Sequence, residues 1–199
     1  MESSEIMTCI VAFKGPKSIT LAGDSAGVQG YDVTIRLDPK VFTVGPFSMG
    51  FTSSFRMGQI LMDIVIPKQK KGVDDHKFMR TTFVDTIRQK FDKCGFGGKE
   101  ASSDNDGGGD VGGVFIVIYK QQIYTIDSDF QVAMSSEPFE SVGCGSSFAK
   151  GVMWSMQQAW TLNISPTAIC TEALTAAAHF NCGVRAPFNI IEIPLKRKK

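Results

Sequence analysis

Short β-rich runs separated by glycine and proline constrain the fold more than any other feature of this 199-residue sequence. The first half holds two pairs of such runs, 8–13 with 18–22 and 40–44 with 47–51. Valine, isoleucine, threonine and phenylalanine favour strands, whereas the intervening Gly15-Pro16 and Gly45-Pro46 are typical of turns. Two hairpins in close succession predict an antiparallel sheet.

Two helices are predicted after these hairpins. In the first, at 55–66, the residues Ile60, Leu61, Ile64 and Val65 share one face, and Pro67 ends the helix. The second, at 77–93, carries phenylalanine and isoleucine at four-residue intervals. The Gly-, Asp- and Ser-rich segment 94–113 then predicts a surface loop.

The second half of the chain repeats the order of the first. We predict strands at 114–119, 123–126 and 130–132, helices at 148–160 and 166–180, and a last strand at 188–195. Ser165 is suited to cap the last helix, and Pro166 to occupy its first turn. The repeated order predicts an α+β fold of four layers, an αββα sandwich of two antiparallel sheets flanked by helices.

Composition excludes several classes of protein. Hydrophobic residues make up 43% of the chain and charged residues 21%, which is enough apolar material for a core. The formal charge of +1 argues against a protein that coats nucleic acid or binds an anionic membrane. No apolar run approaches the roughly 18 residues of a membrane span. Five cysteines at irregular spacing predict reduced thiols and a cytoplasmic location.

Familiar motifs for metals and phosphates are incomplete here. A calcium loop beginning at Asp104 would need glutamate at its twelfth place, where Phe115 stands. Lys99 is followed by Glu100 rather than the serine or threonine of a phosphate loop. The chain has only two histidines, and they are far apart, so a two-histidine metalloprotease helix is excluded. No metal and no organic cofactor is expected.

Three residues at strand ends carry the strongest functional signal. Asp24 and Lys40 follow Thr8 by sixteen and thirty-two positions, and the hairpin motifs lie around them. This spacing resembles the proteasome β-subunit and HslV family of N-terminal-nucleophile (Ntn) hydrolases, and most closely the short bacterial and phage proteasome-like proteins. Segment 141–146 also looks like the family's Gly-Ser-Gly loop and 181–184 like the end of its last helix, so the resemblance covers most of the chain.

The resemblance implies an Ntn-hydrolase fold and a threonine-type peptidase or amidohydrolase. Thr8 would be the nucleophile and, through its own amine, the base. Lys40 would tune that amine, Asp24 would position Lys40, and Cys144 would replace the serine that assists the amine. The remaining residues that the resemblance implies are Ser54 for oxyanion contacts, Ser146, His179 and Cys182 around the site, and Gly27, Thr52 and Arg56 in the substrate pocket.

The chemistry of such a site follows from the residue types. A threonine hydroxyl is a poor nucleophile until a base takes its proton. A free α-amino group has a pKa of roughly 7.7 to 8.0, close to working pH. An ammonium group at Lys40 would lower that pKa by like-charge repulsion, and Asp24 would hold the ammonium in place.

Seven residues precede Thr8, so its nitrogen is an amide that cannot act as a base. Self-cleavage of the Met7–Thr8 bond, or initiation at Met7 with removal of the methionine, would expose the amine. We therefore expect a leader at 1–7, one domain at 8–195 and a basic tail at 196–199. Trimming one residue further would expose Cys9 instead, but the spacing to Asp24 and Lys40 favours Thr8.

Other functions remain open from the sequence alone. The first alternative is a catalytically inactive structural or assembly subunit that keeps its leader, and the second is a small-amide hydrolase of the same fold. Cys144, between Gly143 and Gly145, is a weaker candidate nucleophile because a nucleophile elbow places its glycines two positions away.

The expected partners are a peptide or protein substrate, further copies of the chain in a ring or stacked homo-oligomer, and an unfoldase. Neither nucleic acid nor membrane is expected as a partner. The expected location is the cytoplasm, which would be the host cytoplasm or the virion if a phage encodes the chain.

Overall fold

A computed structural model describes residues 7–96, 113–158 and 164–196. Its strands are β1 (Ile10–Lys14), β2 (Ser18–Gly23), β3 (Ala26–Gln29), β4 (Asp32–Ile35), β5 (Val41–Val44), β6 (Phe47–Phe51), β7 (Phe115–Tyr119), β8 (Gln122–Ile126), β9 (Val132–Ala133), β10 (Phe139–Val142) and β11 (Asn189–Pro194). Its helices are α1 (Phe55–Met62), α2 (Asp75–Phe78), a π-helical turn (Met79–Phe83), α3 (Val84–Lys93), α4 (Ser146–Gln158) and α5 (Pro166–Phe180).

The strands form two antiparallel sheets and one separate hairpin. The first sheet has the order β10-β1-β2-β11, and the second has the order β5-β6-β7-β8-β9. Strands β3 and β4 pair only with each other among the described residues. In the first sheet Val11 lies opposite Ala22 on one side and Ser141 on the other. The predicted antiparallel pairing is confirmed in both halves of the chain.

Three apolar layers hold the four structural layers together. Between the sheets, the buried side chains include Ile10, Leu21, Val41 and Ile116. A second layer joins the first sheet to α4 and α5, and a third, rich in phenylalanine, joins the second sheet to α1, α2 and α3. A sheet buried on both faces needs apolar residues at successive positions, as β1 and β7 have. The predicted αββα sandwich is confirmed.

Several predicted element bounds were wrong. The first helix ends at Met62 rather than at residue 66, and the side chain of Val65 is 87% exposed although we placed it on the buried face. Pro67 disfavours helical backbone only at Ile66, and the helix has already ended at Met62 with Asp63 as its C-cap. The second helix begins earlier than predicted, because the Asp74 carboxylate caps it by accepting from the Lys77 N–H.

Two strand regions escaped the sequence analysis and one was misplaced. The hairpin β3–β4 was missed because β4 is exposed along its whole length and has no buried face. Strand β10 contains Glu140 and Ser141, which have low strand propensity, and was also missed. The strand predicted at 130–132 begins only at Val132, since Phe130 has a φ of 65° and its N–H closes a turn on Asp127.

Parts of four predicted segments lie outside the described residues: 1–6 of the leader, 97–112 of the loop, 159–160 of the fourth helix and 197–199 of the tail. Within the described ranges, every helix is too short or too polar to cross a bilayer.

Two helical glycines give a matched test of the packing. A Cβ at Gly58 in α1 would lie 2.2 Å from the ring of Phe51, whereas a Cβ at Gly151 in α4 would meet nothing within 4 Å. We expect Gly58→Ala to lower the free energy of unfolding by about 1 to 3 kcal/mol through overpacking. Gly151→Ala should raise it by about 0.5 to 1 kcal/mol through helix propensity. Urea denaturation measures both, and equal effects of the two substitutions would contradict the packing described here.

Candidate active site

The antiparallel pairing of β1 and β2 brings Thr8 and Asp24 together. Ile10 at the start of β1 lies opposite Gly23 at the end of β2, so the residues just outside the paired segment are neighbours. Lys40 immediately precedes β5 in the other sheet. All three residues are buried, although they are polar or charged. The family resemblance implied this grouping, and the fold produces it at one end of the two facing sheets.

A short hydrogen-bond chain joins the three side chains. The Lys40 ammonium donates to Thr8 Oγ1 at 2.8 Å and to Asp24 Oδ1 at 2.9 Å. The Lys40 side chain is 1% exposed and that of Asp24 is 0% exposed. Burial lowers the pKa of Lys40, and the Asp24 charge opposes that decrease. The ammonium is therefore paired with a carboxylate and lies against the hydroxyl that we predict to be the nucleophile.

Backbone donors hold the Asp24 carboxylate in place. The Cys9 N–H donates to Asp24 Oδ1 at 3.0 Å, and the Ala26 N–H donates to Oδ2 at 2.9 Å. The Arg185 N–H reaches the same Oδ2 at 3.4 Å. Hydrogen bonds of this kind compensate for the desolvation of a buried carboxylate. Asp24 is thus fixed by three segments of the chain, which supports the predicted positioning role toward Lys40.

The polar groups of Thr8 are engaged on both sides of its backbone. Its hydroxyl donates to the Met7 carbonyl oxygen at 2.5 Å, and its N–H donates to Cys144 Sγ at 3.2 Å. Gly143 allows this approach, because a Cβ there would lie 2.2 Å from the Thr8 carbonyl oxygen. The φ of Gly143 is +99°, which is also unfavourable for residues with a side chain.

Asn181 belongs to this network, although the sequence analysis did not select it. Its side-chain nitrogen donates to the Cys144 carbonyl at 3.1 Å, and its Oδ1 accepts from the Gly183 N–H at 2.8 Å. The Cys144 thiol lies 3.2 Å from the same Oδ1. Burial raises the pKa of the Cys144 thiol. The position of Asn181 directly after α5 and two residues before a glycine was the available signal.

Ser54 and Ser146 lie beside the site at the starts of two helices. Ser54 caps α1, with its Oγ accepting from the Arg56 N–H, and its own N–H donates to the Thr52 carbonyl at 2.8 Å. An oxyanion contact from the Ser54 N–H would therefore require release from Thr52, and this role stays a prediction. Ser146 begins α4 and lines a cavity together with Cys144.

His179 and Cys182 lie on the exposed side of the end of α5. The His179 ring meets the Phe180 ring edge-on with centroids 4.6 Å apart. Within the part of the chain that the structure describes, no hydrogen bond joins either residue to Thr8. It is Asn181, between them in the sequence, that contacts Cys144. The site-lining role of His179 and Cys182 thus gains no contact to support it.

Two cavities adjoin Thr52 on either side of the site. One of about 120 Å³ is lined by Thr8 and Lys40, among others, and one of about 620 Å³ is lined by Cys144 and Asn181, among others. Both have Thr52 in their walls, and the place of Thr52 in a substrate pocket stays a prediction.

The other two predicted pocket residues, Gly27 and Arg56, line neither cavity, although their chain neighbours Ala26, Val28 and Phe55 line the smaller one. A Cβ at Gly27 would lie 2.8 Å from the Arg36 side chain, whose guanidinium stacks 3.7 Å above the ring of Phe55. This stack stands beside the cavity, because Phe55 lines it. Arg56 is exposed. Arg36 is therefore a pocket neighbour that sequence reasoning missed.

The described residues contain no group of three or more histidine, cysteine, aspartate or glutamate side chains placed to hold a metal ion. All five cysteines are unpaired. Burial raises the pKa of the Cys9 thiol to about 12, so Cys9 is a thiol at neutral pH. This protonation state disfavours Cys9 as a nucleophile, since the thiolate is the reactive form.

Comparison with known proteins supports the fold. No protein-family model matches the chain, and no curated protein matches it either. Among solved structures, BPH from Thiobacillus denitrificans matches with a TM-score of 0.76 at 17% identity, over 96% of this chain and 100% of that one. HslV from Trypanosoma brucei matches with a TM-score of 0.63 at 15% identity, over 94% and 99%. The Anbu complex from Pseudomonas aeruginosa, solved as a helical assembly, matches with a TM-score of 0.64 at 14% identity, over 94% and 81%.

These matches confirm the resemblance to the proteasome-like Ntn fold that the sequence predicted. At 14 to 17% identity these matches establish the architecture alone. The chemistry depends on the residues of the site.

The buried ion pair between Lys40 and Asp24 should contribute to the free energy of unfolding. Lys40→Met would leave the Asp24 carboxylate buried without its cation, so we expect a loss of about 3 to 5 kcal/mol in the free energy of unfolding. Lys120→Met is the control, because Lys120 and Asp75 form an ion pair whose side chains are 49% and 42% exposed. That pair should contribute about 0 to 1 kcal/mol. A chemical denaturation series measures both, and a loss at Lys40 no larger than at Lys120 would refute the buried-pair interpretation.

Proposed function

We propose that this chain, which has the proteasome-like Ntn-hydrolase fold, is a threonine peptidase whose nucleophile is the Thr8 hydroxyl after the Met7–Thr8 bond is broken. The observation that carries the proposal is the Lys40 ammonium, buried with Asp24 and 2.8 Å from Thr8 Oγ1. Burying a charge costs free energy. A cation that is buried against a threonine hydroxyl is explained if that hydroxyl reacts as a nucleophile.

The proposed reaction uses the free Thr8 amine as the base. The amine takes the proton of Thr8 Oγ1, and the oxygen attacks the carbonyl carbon of a peptide bond. Collapse of the tetrahedral adduct breaks the C–N bond, and the ammonium returns its proton to the leaving nitrogen. The acyl group now forms an ester with Thr8. A water molecule, deprotonated by the same amine, attacks the ester, releases the carboxylic acid and restores the hydroxyl.

Lys40 and Asp24 support this chemistry through electrostatics. The Lys40 charge disfavours a second cation nearby and so lowers the pKa of the free amine, which keeps it available as a base. The hydrogen bond from Lys40 to Thr8 Oγ1 also stabilises the alkoxide that develops during attack. Asp24 keeps Lys40 charged, because its carboxylate opposes the effect of burial. Backbone N–H groups at Ser54 and its neighbours are proposed to bind the oxyanion once the Ser54 N–H is released from the Thr52 carbonyl.

Two routes would give the free amine, and the geometry bears on the first. The Thr8 hydroxyl lies 2.5 Å from the Met7 carbonyl oxygen, so Oγ1 is close to the carbonyl carbon that self-cleavage would attack. In that route the acyl group of Met7 moves to Oγ1, the Thr8 amine is released, and water hydrolyses the ester. Initiation at Met7 with removal of the methionine gives the same product. Either route leaves a domain that begins at Thr8 and that we propose extends to residue 195.

The remaining proposals concern surroundings and partners. Cys144, Ser146, Thr52 and Gly27 are proposed to border the bound substrate, and a peptide or unfolded protein chain is the proposed substrate. A homo-oligomer is proposed on the example of the helical Anbu assembly, to which the fold is similar. Five unpaired cysteines support a cytoplasmic location.

An inactive assembly subunit is the second candidate, and one observation favours it. With Met7 in place, the hydroxyl and the nitrogen of Thr8 are both satisfied, by the Met7 carbonyl and by Cys144. A chain that keeps its leader would retain this closed arrangement and could not hydrolyse amides through Thr8.

The mass of the native N-terminus separates the two candidates. We expect the mature protein to begin at Thr8, and we expect it to hydrolyse a fluorogenic peptide. Thr8→Ala should reduce kcat/KM by at least about 10³-fold, whereas Thr8→Ser keeps a hydroxyl and an amine and should retain activity. Peptides tested beside acylated small amides distinguish a peptidase from a small-amide hydrolase. A mature chain that still carries residues 1–7 and has no hydrolytic activity would establish the assembly subunit instead.

A further inference from the structure

We propose that Arg185 is a positioning residue that fastens the end of α5 to the Asp24 carboxylate of the candidate active site. The side chain and the backbone of Arg185 have separate partners. The guanidinium binds carbonyl groups at the end of α5, and the backbone binds Asp24 and Ser25. Asp24 in turn holds the Lys40 ammonium. The inference rests on the proposed function, because it assigns a support to the charged pair beside the proposed nucleophile.

Three backbone carbonyl oxygens converge on one nitrogen of the Arg185 guanidinium. Its Nη1 lies 2.7 Å from the Val184 oxygen, 3.0 Å from the Asn181 oxygen and 3.4 Å from the Ala178 oxygen. Nη1 has two protons, so the two shorter contacts each receive one and the Ala178 oxygen shares. The guanidinium is permanently charged, and the end of a helix favours a cation. The end of α5 is therefore closed by a positive side chain.

Backbone hydrogen bonds alone do not serve the same carbonyls. The Asn181 N–H donates to the Ala177 carbonyl at 2.9 Å, and the Val184 N–H donates to the Asn181 carbonyl at 3.3 Å. Neither bond involves the carbonyl of Ala178 or that of Val184, and the guanidinium donates to both. The last carbonyls of a helix lack partners within the helix. Without the Arg185 side chain, this turn would lose the group that draws its carbonyls together.

The backbone of Arg185 lies along the residues that follow β2. Its carbonyl oxygen accepts from the Ser25 N–H at 2.9 Å, and its N–H donates to Asp24 Oδ2 at 3.4 Å. The Ser25 hydroxyl donates to the Pro187 carbonyl at 2.6 Å and accepts from the Asn189 side chain at 3.0 Å. The segment between α5 and β11 is thus attached to the residues on which the site depends.

The Asp24 carboxylate relies on this segment for one of its donors. Asp24 Oδ1 binds Lys40, whereas Oδ2 accepts from the Ala26 N–H at 2.9 Å and from the Arg185 N–H at 3.4 Å. The Arg185 contact is the longest of these, so a small displacement of the segment is enough to break it. A carboxylate freed on that side can rotate, and rotation would move the Lys40 ammonium relative to Thr8.

Chemical rescue tests this role in the protein with Thr8 exposed. Arg185→Ala should lower kcat about 3- to 10-fold and leave KM within about twofold, because the substrate contacts are unchanged. Guanidinium chloride, far below the concentrations that unfold the protein, should restore most of the lost kcat. Urea at the same concentration has a similar shape without the charge and should not. Equal restoration by both compounds, or by neither, would overturn the proposal.

Two control variants separate positioning from a general loss of stability. Arg80→Ala removes an exposed arginine of the π-helical turn and should change neither kcat nor the response to guanidinium. Ile87→Val shortens a fully buried side chain of α3, which packs on the other sheet, and destabilises the fold there. Its kcat should be unchanged at temperatures where it is folded. A decrease in kcat for Ile87→Val as large as that for Arg185→Ala would assign the effect to stability.

Hydrogen exchange tests the attachment without any need for activity. The Ala26 N–H donates to Asp24 Oδ2 and the Ser25 N–H donates to the Arg185 carbonyl, so these two amides report on the segment. In Arg185→Ala both should exchange at least about tenfold faster, and guanidinium should restore their protection. The amide of Val117, in the centre of β7, is the internal reference and should not change. Arg185→Gln removes the charge and keeps a polar side chain, so it covers the case in which the alanine variant does not fold.

The two readouts separate the two possible failures. Faster exchange at Ser25 and Ala26, in a protein that hydrolyses no peptide even with Arg185 present, would support the attachment and refute the proposed function alone. Unchanged exchange at both amides in the Arg185 variants would overturn the role of Arg185, whatever the activity.

Discussion

The buried ion pair between Lys40 and Asp24 is the interaction on which the site depends. Asp24 follows a strand of one sheet and Lys40 precedes a strand of the other, so the pair joins the two sheets at the end where Thr8 lies. Isolated, either charge would be costly to bury; together, and with backbone N–H groups on the carboxylate, they are compensated. The distance from Lys40 to Thr8 Oγ1 is thus fixed by the packing of the sandwich.

The site also requires neighbouring segments of the chain to lie very close to Met7, Thr8 and Cys144, and glycine allows this at two positions. Gly143 lies against the Thr8 carbonyl with a φ of +99°, and a Cβ at Gly183 would lie 2.8 Å from the Met7 side chain and 3.1 Å from Cys144 Sγ. Both glycines belong to the segments that bring Cys144 to the Thr8 nitrogen and Asn181 to Cys144. The second sheet therefore contributes Lys40 to the hydroxyl side of Thr8, while the loop before α4 and the end of α5 contribute to its nitrogen side.

The sequence predicted the sandwich because strand patterns and turns are local signals, and it predicted the grouping of Thr8, Asp24 and Lys40 through the resemblance of their spacing to the Ntn-hydrolase family. It did not predict β3–β4, of which β4 is exposed along its whole length, or Asn181, whose partner Cys144 lies 37 residues away in the sequence. Contacts between distant segments leave no periodic pattern in a single sequence. The implied roles of His179 and Cys182 came from alignment by resemblance, and a shift of one or two residues at the end of α5 is enough to place Asn181 at the thiol instead.

Whether the Met7–Thr8 bond is intact or broken determines whether the hydrogen bonds around Thr8 leave its hydroxyl and nitrogen free to react. With the bond intact, the Thr8 nitrogen has no lone pair to offer, its proton is bound by Cys144, and the hydroxyl proton is bound by the Met7 carbonyl. Breaking the bond removes that carbonyl acceptor and gives the nitrogen a lone pair. The hydroxyl proton therefore loses the Met7 carbonyl as its acceptor, and the Thr8 amine, a base on the same residue, becomes available instead. Lys40, Asp24 and Cys144 need not move for this change, because each is held by contacts that do not involve Met7. A single cleavage would therefore convert a satisfied network into a reactive one without any rearrangement of the fold.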